Sequence, residues 1–295
     1  MAEVAKSERN MKQGGLSVVG TYGVWIVACC ALCLAWPVSH LGAAADVPQQ
    51  TGSAKIVGTM LANETAASQH KDRYAYLSQE RSDRTGGHLW LEKVVESNVG
   101  KVRMLREEDG QPLSADRMAA ERGRLAAIVA DPAAFQKKAQ TIKDDEAHAR
   151  QLLTLLPQAF LFGDVRDEGG YQRIDFKGNP DYTPQSMEER VLHAMTGTML
   201  VDAKSMRLHR IEGRLPQDVS IGFGLLATIR AGSTFSTTRD SFGQPDWKTT
   251  LLDTDINGKA IFFKSIAKKE HAEHSDFVRV PNDLNVAQAV AIAEE

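Results

Sequence analysis

Four two-residue turn signals separate short runs of alternating apolar and polar residues, and they constrain the fold more than any other feature. They are Gly86-Gly87, Asp109-Gly110, Gly169-Gly170 and Asn257-Gly258. Turns of this kind join neighbouring antiparallel strands, because Gly and Asn tolerate the positive φ that such turns need. We therefore predict a large antiparallel sheet. For the last signal, we expect Leu251–Ile256 to pair with Lys259–Ile266 across a turn at Asn257-Gly258.

Helical segments stand at the start and in the middle of this pattern. Residues 52–72 place Ile56, Met60 and Leu61 on one stripe at helical spacing. A helical block begins at Ser114, a predicted N-cap, and a second helix starts at Pro132 with Asp131 as its cap. A further short helix is predicted over Pro184–Leu192. These helices are the available cover for an apolar sheet face.

The fold class that follows is α+β, with a curved antiparallel sheet, an unclosed β-barrel, packed on helices. A sheet of eight or more strands curls, and its apolar face must be covered. We expect one domain over residues 46–280. The Ala-rich stretch 281–295, which ends in two glutamates, is predicted to be a flexible tail, either disordered or a loose helix.

The first 45 residues have the pattern of a signal peptide. A basic lead containing Lys6, Arg9 and Lys12 precedes a largely apolar stretch over 16–38, and small residues follow it. We expect export to the periplasm, with cleavage after Ala45. A retained membrane anchor is the alternative, because the apolar stretch is long enough to span a bilayer.

All three cysteines lie inside the leader, at Cys29, Cys30 and Cys33. A chain cleaved after Ala45 would contain no cysteine, which excludes disulfides, thiolate catalysis and Cys-ligated zinc. The segment ending at Cys29 also resembles a lipoprotein-processing box. The alternative localisation is therefore a chain anchored by lipid on Cys29.

Charge and side-chain patterns disfavour several function classes. The formal net charge is −3, with acidic and basic residues interspersed, whereas a nucleic-acid-binding protein would present a basic face. The group His271, His274 and Asp276 is better explained as a solvated strand end than as a metal site, since the two histidines fall on opposite faces. Asp253 and Asp255 share a strand face, but a solvent-facing pair is favoured over an acid–base pair. We predict no enzymatic activity, no cofactor and no metal.

Two segments resemble a known family. The segment "GTMLVDAKSMRLHRIEGRL", residues 197–215, is similar to the strand–Asp–turn–strand unit of periplasmic lipoprotein-carrier proteins of the LolA/LolB type and their RseB-like relatives. The segment "DTDINGKAIFFKSIAKKEHAEHSDF", residues 253–277, is similar to the closing strand pair of that superfamily. The resemblance implies an unclosed barrel wrapped on helices, an apolar cavity for acyl chains or a lipidated partner, and no catalytic residues. It also implies an arginine that locks a helical lid, for which Arg207, Arg210 and Arg214 are equally good candidates.

An apolar set on the predicted strands is the candidate lining of such a cavity. Its members are Trp90, Phe160, Phe162, Phe176, Met199, Leu208, Phe223, Leu225, Phe235, Phe262 and Phe263. The same residues could instead be ordinary core, which fills to close packing, whereas a carrier leaves room for a ligand.

The sequence therefore predicts an exported, non-enzymatic protein that binds a lipid or a lipidated or amphipathic partner in an apolar cavity. One alternative is an RseB-like envelope sensor that binds a membrane-anchored regulator through its surface. Another is an enzyme with a dispersed active site. The expected partners are a lipid or a lipidated protein, with a possible membrane-associated partner and no nucleic acid.

Overall fold

A computed structural model describes residues 52–69, 72–221, 227–243, 246–260 and 264–295. Within them a single sheet of 14 strands dominates the fold. The strands are β1 (Arg73–Ser82), β2 (Leu89–Glu96), β3 (Lys101–Glu108), β4 (Gln111–Pro112), β5 (Phe160–Phe162), β6 (Arg166–Glu168), β7 (Tyr171–Gly178), β8 (Thr196–Asp202), β9 (Leu208–Arg214), β10 (Val219–Ile221), β11 (Ala227–Ile229), β12 (Thr234–Ser241), β13 (Trp247–Ala260) and β14 (Lys264–Val280).

Helices flank this sheet, and the predicted α+β class with an unclosed antiparallel sheet is confirmed. The described helices are α1 (Gly52–Ser68), α2 (Ala115–Ala130), α3 (Pro132–Leu153), α4 (Leu156–Ala159), α5 (Met187–His193) and α6 (Val286–Glu294). The main path of the sheet runs β4-β3-β2-β1-β14-β13-β12-β9-β8-β7-β5. Strand β6 pairs with β7, and the β10–β11 hairpin joins β13 through β11. The leader, residues 1–45, lies outside the described residues, and its cleavage stays a prediction.

The local signals for turns and helix starts are largely confirmed. Gly86-Gly87, Asp109-Gly110 and Gly169-Gly170 all adopt positive φ and join paired strands. The Ser114 hydroxyl accepts a hydrogen bond from the Arg117 backbone N–H at 3.3 Å, and the Asp131 carboxylate caps α3 in the same way at 3.0 Å. Side-chain oxygens at both positions thus satisfy N–H groups that a helix start leaves unpaired.

The fourth turn signal was wrong. Asn257 and Gly258 lie inside the continuous strand β13, where they pair with Ala267 and Ile266 of β14. On the other side, Gly258 pairs with Ile229 of β11. A Cβ atom at Gly258 would lie 2.6 Å from the Thr228 carbonyl oxygen. This glycine therefore serves the close approach of two strands and not a positive φ.

The C-terminal segment also differs from the flexible tail predicted from its composition. Asn285 and Gln288 form a reciprocal capping box that starts helix α6. Four of its small or β-branched residues are buried: Val286, Ala289, Val290 and Ala293. Alanine here fits a tight interface against β2, β3 and α2, where a larger side chain would not. The segment is therefore part of a core.

Two separate cores cover opposite faces of the sheet. In the first, α1 and α4 pack on β7, β8 and β9; in the second, α2 and α6 pack on β2 and β3. Residues that pair directly across neighbouring strands point to the same face of the sheet. Ile211 pairs with Thr237, Thr237 with Leu252, Leu252 with Ala272, and Ala272 with Glu80 of β1, so Ile211 and Glu80 share a face. The second core contains Ala75 of the same strand. Because side chains alternate along a strand, Glu80 and Ala75 point to opposite faces.

Candidate binding face under helix α1

Helix α1 covers an apolar area of the sheet, which we call the α1 face. Val57 and Met60 are 0% and 1% exposed, and they belong to one buried cluster with residues of β7, β8 and β9. Their spacing, with Ile56 and Leu61 beside them, turns one stripe of the helix toward the sheet. The apolar residues of this core are Ile56, Val57, Met60, Leu61, Leu155, Leu156, Ala159, Phe160, Phe162, Ile174, Phe176, Tyr182, Leu192, Met199, Val201, Leu208, Ile211 and Phe235.

Six of the eleven predicted cavity residues meet at the α1 face. Phe160, Phe176 and Met199 are buried in this core. Phe162, Leu208 and Phe235 are partly buried against it. The α1 stripe belongs to the same core, and whether these residues line a cavity for a ligand stays a prediction.

Of the other five predicted residues, Trp90 is the one that lies within the described ranges, and it lies elsewhere. Trp90 lies on β2, where its indole N–H donates to the Glu108 carboxylate at 2.9 Å and the Arg84 guanidinium lies 5.3 Å from the ring centroid. Phe223, Leu225, Phe262 and Phe263 lie outside the described residues.

A pair of glycines makes room for two of the aromatic rings. Gly197 of β8 and Gly213 of β9 are directly paired. A Cβ atom at Gly197 would lie 2.5 Å from Cζ of Phe176, and one at Gly213 would lie 2.5 Å from Cε1 of Phe235. Both rings therefore rest on bare backbone, which widens the flat apolar area beneath α1.

A partly buried ionic cluster holds the C-terminal half of α1 to the sheet. Glu64 lies four residues after Met60, on the same helix face. Its Oε1 accepts hydrogen bonds from Arg207 Nε at 2.8 Å and from the Leu208 backbone N–H at 3.0 Å. Its Oε2 accepts from Arg239 Nη1 at 2.6 Å and from Arg207 Nη2 at 3.1 Å. We call Glu64, Arg207 and Arg239 the α1 clamp.

The charge state of the clamp follows from these contacts. Burial raises the pKa of Glu64, but hydrogen bonds and charge attraction from Arg207 and Arg239 outweigh it and leave the pKa below its usual value of 4.5. Glu64 is therefore a carboxylate near neutral pH. Beside it, the Asn63 side chain donates to the carbonyls of Ser205 and Met206 at 3.2 and 3.1 Å, which adds a second polar attachment.

A β-bulge lies beside each arginine of the clamp. In the β8–β9 pair, Leu200 faces Arg210 and Val201 faces Leu208, so His209, two positions after Arg207, is the extra residue. In the β12–β13 pair the register shifts between Thr238 and Arg239. Bulges redirect side chains and are common beside functional sites. The imidazole of His209 contacts the Arg239 carbonyl at 2.7 Å, so one bulge supports the other.

Of the three arginines that the family resemblance left open, Arg207 is the one that contacts α1. Arg210 instead pairs with Glu212 at 2.8 Å, and Arg214 is exposed. Sequence reasoning missed both Glu64 and Arg239. The signal for Glu64 was an acidic residue at the end of the apolar stripe that contains Val57 and Met60, where charge is unusual. No local signal marks Arg239, because its partner Glu64 lies 175 residues earlier in the chain.

A depression of about 520 Å³ opens beside the clamp. It is lined by Tyr171, Asp202, Lys204, Ser205, Asp240, Ser241 and Trp247. The Trp247 carbonyl accepts from Arg239 Nη2 at 3.1 Å, which joins the depression to the clamp. The Trp247 indole N–H is buried and has no hydrogen-bond partner among the described residues. The site thus combines an apolar floor, two cations and a polar opening.

The carboxylates and histidines considered from the sequence are engaged with separate partners. His271 contacts Asp253 at 2.6 Å, whereas His274 points to the other face and contacts the Thr249 carbonyl at 2.9 Å. Asp255 accepts from the Asn257 side chain at 2.7 Å. Within the described ranges, no group of three or more His, Cys, Asp or Glu side chains could hold a metal ion.

Comparison with protein-family models, curated proteins and solved structures found no match for this chain. Among the helices of the described residues, none is both long enough and apolar enough to cross a membrane.

Proposed function

We propose that this is an exported, non-enzymatic binding protein that takes the acyl chain of a lipid, or a lipidated or amphipathic partner, on the α1 face. Helix α1 acts as a removable cover, and the ligand takes the place of its apolar stripe. The observation that carries the proposal is the way α1 is attached. It covers a wide apolar area of the sheet, and among the described residues its ion pairs with the sheet all belong to a clamp at one end.

The backbone of α1 supports a cover that can leave. No backbone–backbone hydrogen bond joins α1 to the sheet within the described residues. Departure of the helix would therefore leave every strand pair intact. This matters because strand pairing holds the rest of the molecule together, and cooperative opening of one poorly connected segment costs less than global unfolding.

The composition of α1 also favours this role. Its interior contains Gly58, Thr59, Asn63 and Thr65, all poor helix formers. Its first turn has no acidic residue and its last turn has no basic residue, so no charge of the favourable sign offsets the helix dipole there. The helix therefore depends on packing for its stability. A ligand that competes for the same apolar contacts would release it.

A fluorescence titration of the full chain with cis-parinaric acid tests this proposal. Met60→Ala removes apolar contacts of the cover and leaves the sheet unchanged. If α1 competes with the ligand, the fraction of open protein rises and the apparent affinity tightens, by about tenfold for each 1.4 kcal/mol of docking energy lost. Phe176→Ala, which truncates the floor of the α1 face, should weaken binding.

Leu125→Ala is the matched control. Leu125 is fully buried in the second core, on the other sheet face, and its truncation should cost about 2–5 kcal/mol of stability, as for other large core residues. If Met60→Ala and Leu125→Ala both bind the probe more tightly than the wild type, the probe is binding to generally destabilised protein and not to the α1 face. That result would contradict the proposal. Unchanged binding by Met60→Ala would instead favour the sensor alternative, in which a partner binds the outer surface and α1 stays in place.

A further inference from the structure

We infer that Arg207, Arg239 and the Leu208 backbone N–H form a seat for the anionic headgroup of an amphiphile, and that Glu64 is the built-in occupant of this seat. The inference rests on the proposed function and narrows its ligand class. The ligand is an amphiphile whose carboxylate or phosphate replaces the Glu64 carboxylate and whose apolar chain replaces the α1 stripe.

The donors of the seat converge on one small anion. Four N–H groups from three residues surround the two oxygens of Glu64, at 2.6 to 3.1 Å. Guanidinium groups bind carboxylates and phosphates through paired N–H donors. Exposed side-chain fractions of 6% for Arg207 and 20% for Arg239 make this a largely desolvated site, where an anion gains more than it would in water.

Release of α1 creates the need for such an anion. When the helix leaves, it takes away the one carboxylate that both guanidinium groups share. Removing one partner from a buried ion pair is strongly unfavourable, because the remaining charge stays in a poorly solvated place. A neutral apolar ligand cannot replace the Glu64 carboxylate, so it does not offset this unfavourable free energy. An anionic ligand offsets it, so the seat couples displacement of the cover to the charge of the ligand.

The footprint of α1 has the outline of an amphiphile. Glu64 and Val57 are seven residues apart on one face, which corresponds to about 10 Å along a helix. Met60 and Leu61 lie between them. The sheet therefore presents cations at one end of an apolar track at least this long. Leu208 joins the two parts, since its N–H belongs to the seat and its side chain packs against the core of the α1 face.

The depression beside the seat gives a headgroup access and room. Lys204 adds a cation to its lining, and the Trp247 indole offers a buried donor without a partner among the described residues. The two acidic groups of the lining are already engaged. Asp202 accepts from the Ser205 N–H and hydroxyl at 2.7 and 2.6 Å, and Asp240 accepts from the Thr250 hydroxyl at 2.7 Å.

Calorimetric titration of the full chain with three probes of equal chain length tests the seat. Decanoate and decyl phosphate carry an anionic headgroup, and decanol carries none. We expect both anionic probes to bind at least about tenfold more tightly than decanol, as the loss of charge-assisted hydrogen bonds predicts. Arg239→Gln should abolish this preference while decanol binding remains. The control Arg210→Gln, on the neighbouring strand and paired with Glu212, should keep it.

The outcomes separate the seat from the proposed function. Equal binding of all three probes, or a preference that survives Arg239→Gln, overturns the seat but leaves the binding function standing. Absence of binding of every probe to both the wild type and Glu64→Gln, in which the clamp is weakened, overturns both. Inorganic phosphate that binds as tightly as decyl phosphate would also overturn the seat, because the apolar track would then contribute nothing. A preference between decyl phosphate and decanoate supports the seat and distinguishes phospholipid from fatty-acid sources.

Discussion

At the scale of single residues, Glu64 decides how firmly α1 is held. Its carboxylate is surrounded by the two guanidinium groups of the α1 clamp and the Leu208 N–H. An isolated charge on the apolar stripe of a helix would oppose packing. Here the arginines reverse that effect, so Glu64 attaches α1 to the sheet, and under the proposed function it also sets the conditions under which the helix opens.

The clamp should therefore respond to acid. The pKa of Glu64 is lower in the folded protein than its usual 4.5, so its contribution to stability is complete above about pH 4.5 and is lost as pH falls through the lower, folded-state value. At pH 7, Glu64→Gln should lower the free energy of unfolding by about 1–3 kcal/mol. Urea titrations of both proteins from pH 7 to pH 3 should show this difference constant at first and then shrinking.

Glu212→Gln provides the comparison for this series. Glu212 pairs with Arg210 at 2.8 Å on the partly exposed surface of β9, where an ion pair contributes less than about 1 kcal/mol. Its substitution should have a small effect at every pH. A Glu64→Gln difference that stays constant or grows between pH 5 and pH 3 would contradict the assigned charge of the clamp.

Single residues also show the limit of local sequence signals. Gly86-Gly87 and Gly169-Gly170 were predicted correctly because a paired glycine between two strand-like runs has one common use. Asn257-Gly258 has the same appearance but lies within β13. A dipeptide cannot reveal whether its glycine is needed for positive φ or for the approach of another strand. The close approach at Gly258 comes from β11, and the pairing of β11 with β13 cannot be predicted from the residues around Gly258 alone.

At the scale of elements, helix α6 shows what composition alone conceals. Its predicted flexibility rested on many alanines, but a capping box starts the helix and four small residues meet the second core. Caps at Ser114 and Asp131 could be predicted because each precedes a recognisable helix. The partner surface of α6 comes from strands almost 200 residues earlier in the chain, so its burial could not be predicted from the segment itself.

Loss of the α6 cap should be measurable. Asn285→Ala removes the side chain that accepts from the Gln288 N–H at 2.9 Å and should lower the free energy of unfolding by about 1 kcal/mol. Asp283→Ala, at an exposed neighbouring position, should change it little. Urea unfolding of both variants tests this. Equal stability of Asn285→Ala and the wild type would show that the segment is not docked.

At the scale of the whole molecule, two cores lie on opposite faces of the sheet, and under the proposed function the ligand disturbs only one of them. The second core holds β1, β2 and β3 under α2 and α6, and the α1 face belongs to β7, β8 and β9. The sheet and the covering helices could be predicted from periodicity, as could much of the apolar set now found under α1. The clamp could not, because it joins α1 to arginines 143 and 175 residues later in the chain, which only the assembled sheet brings together.

Hydrogen–deuterium exchange of the full chain with saturating decanoate tests the central claim most directly. The amides of α1 (Gly52–Ser68) are compared with those of α2 (Ala115–Ala130), which covers the other sheet face. If the ligand takes the place of the cover, exchange in α1 accelerates on binding, while α2 is unchanged and the strands of the α1 face stay protected. Confirmed binding of decanoate with unchanged or slower exchange in α1 would contradict the account.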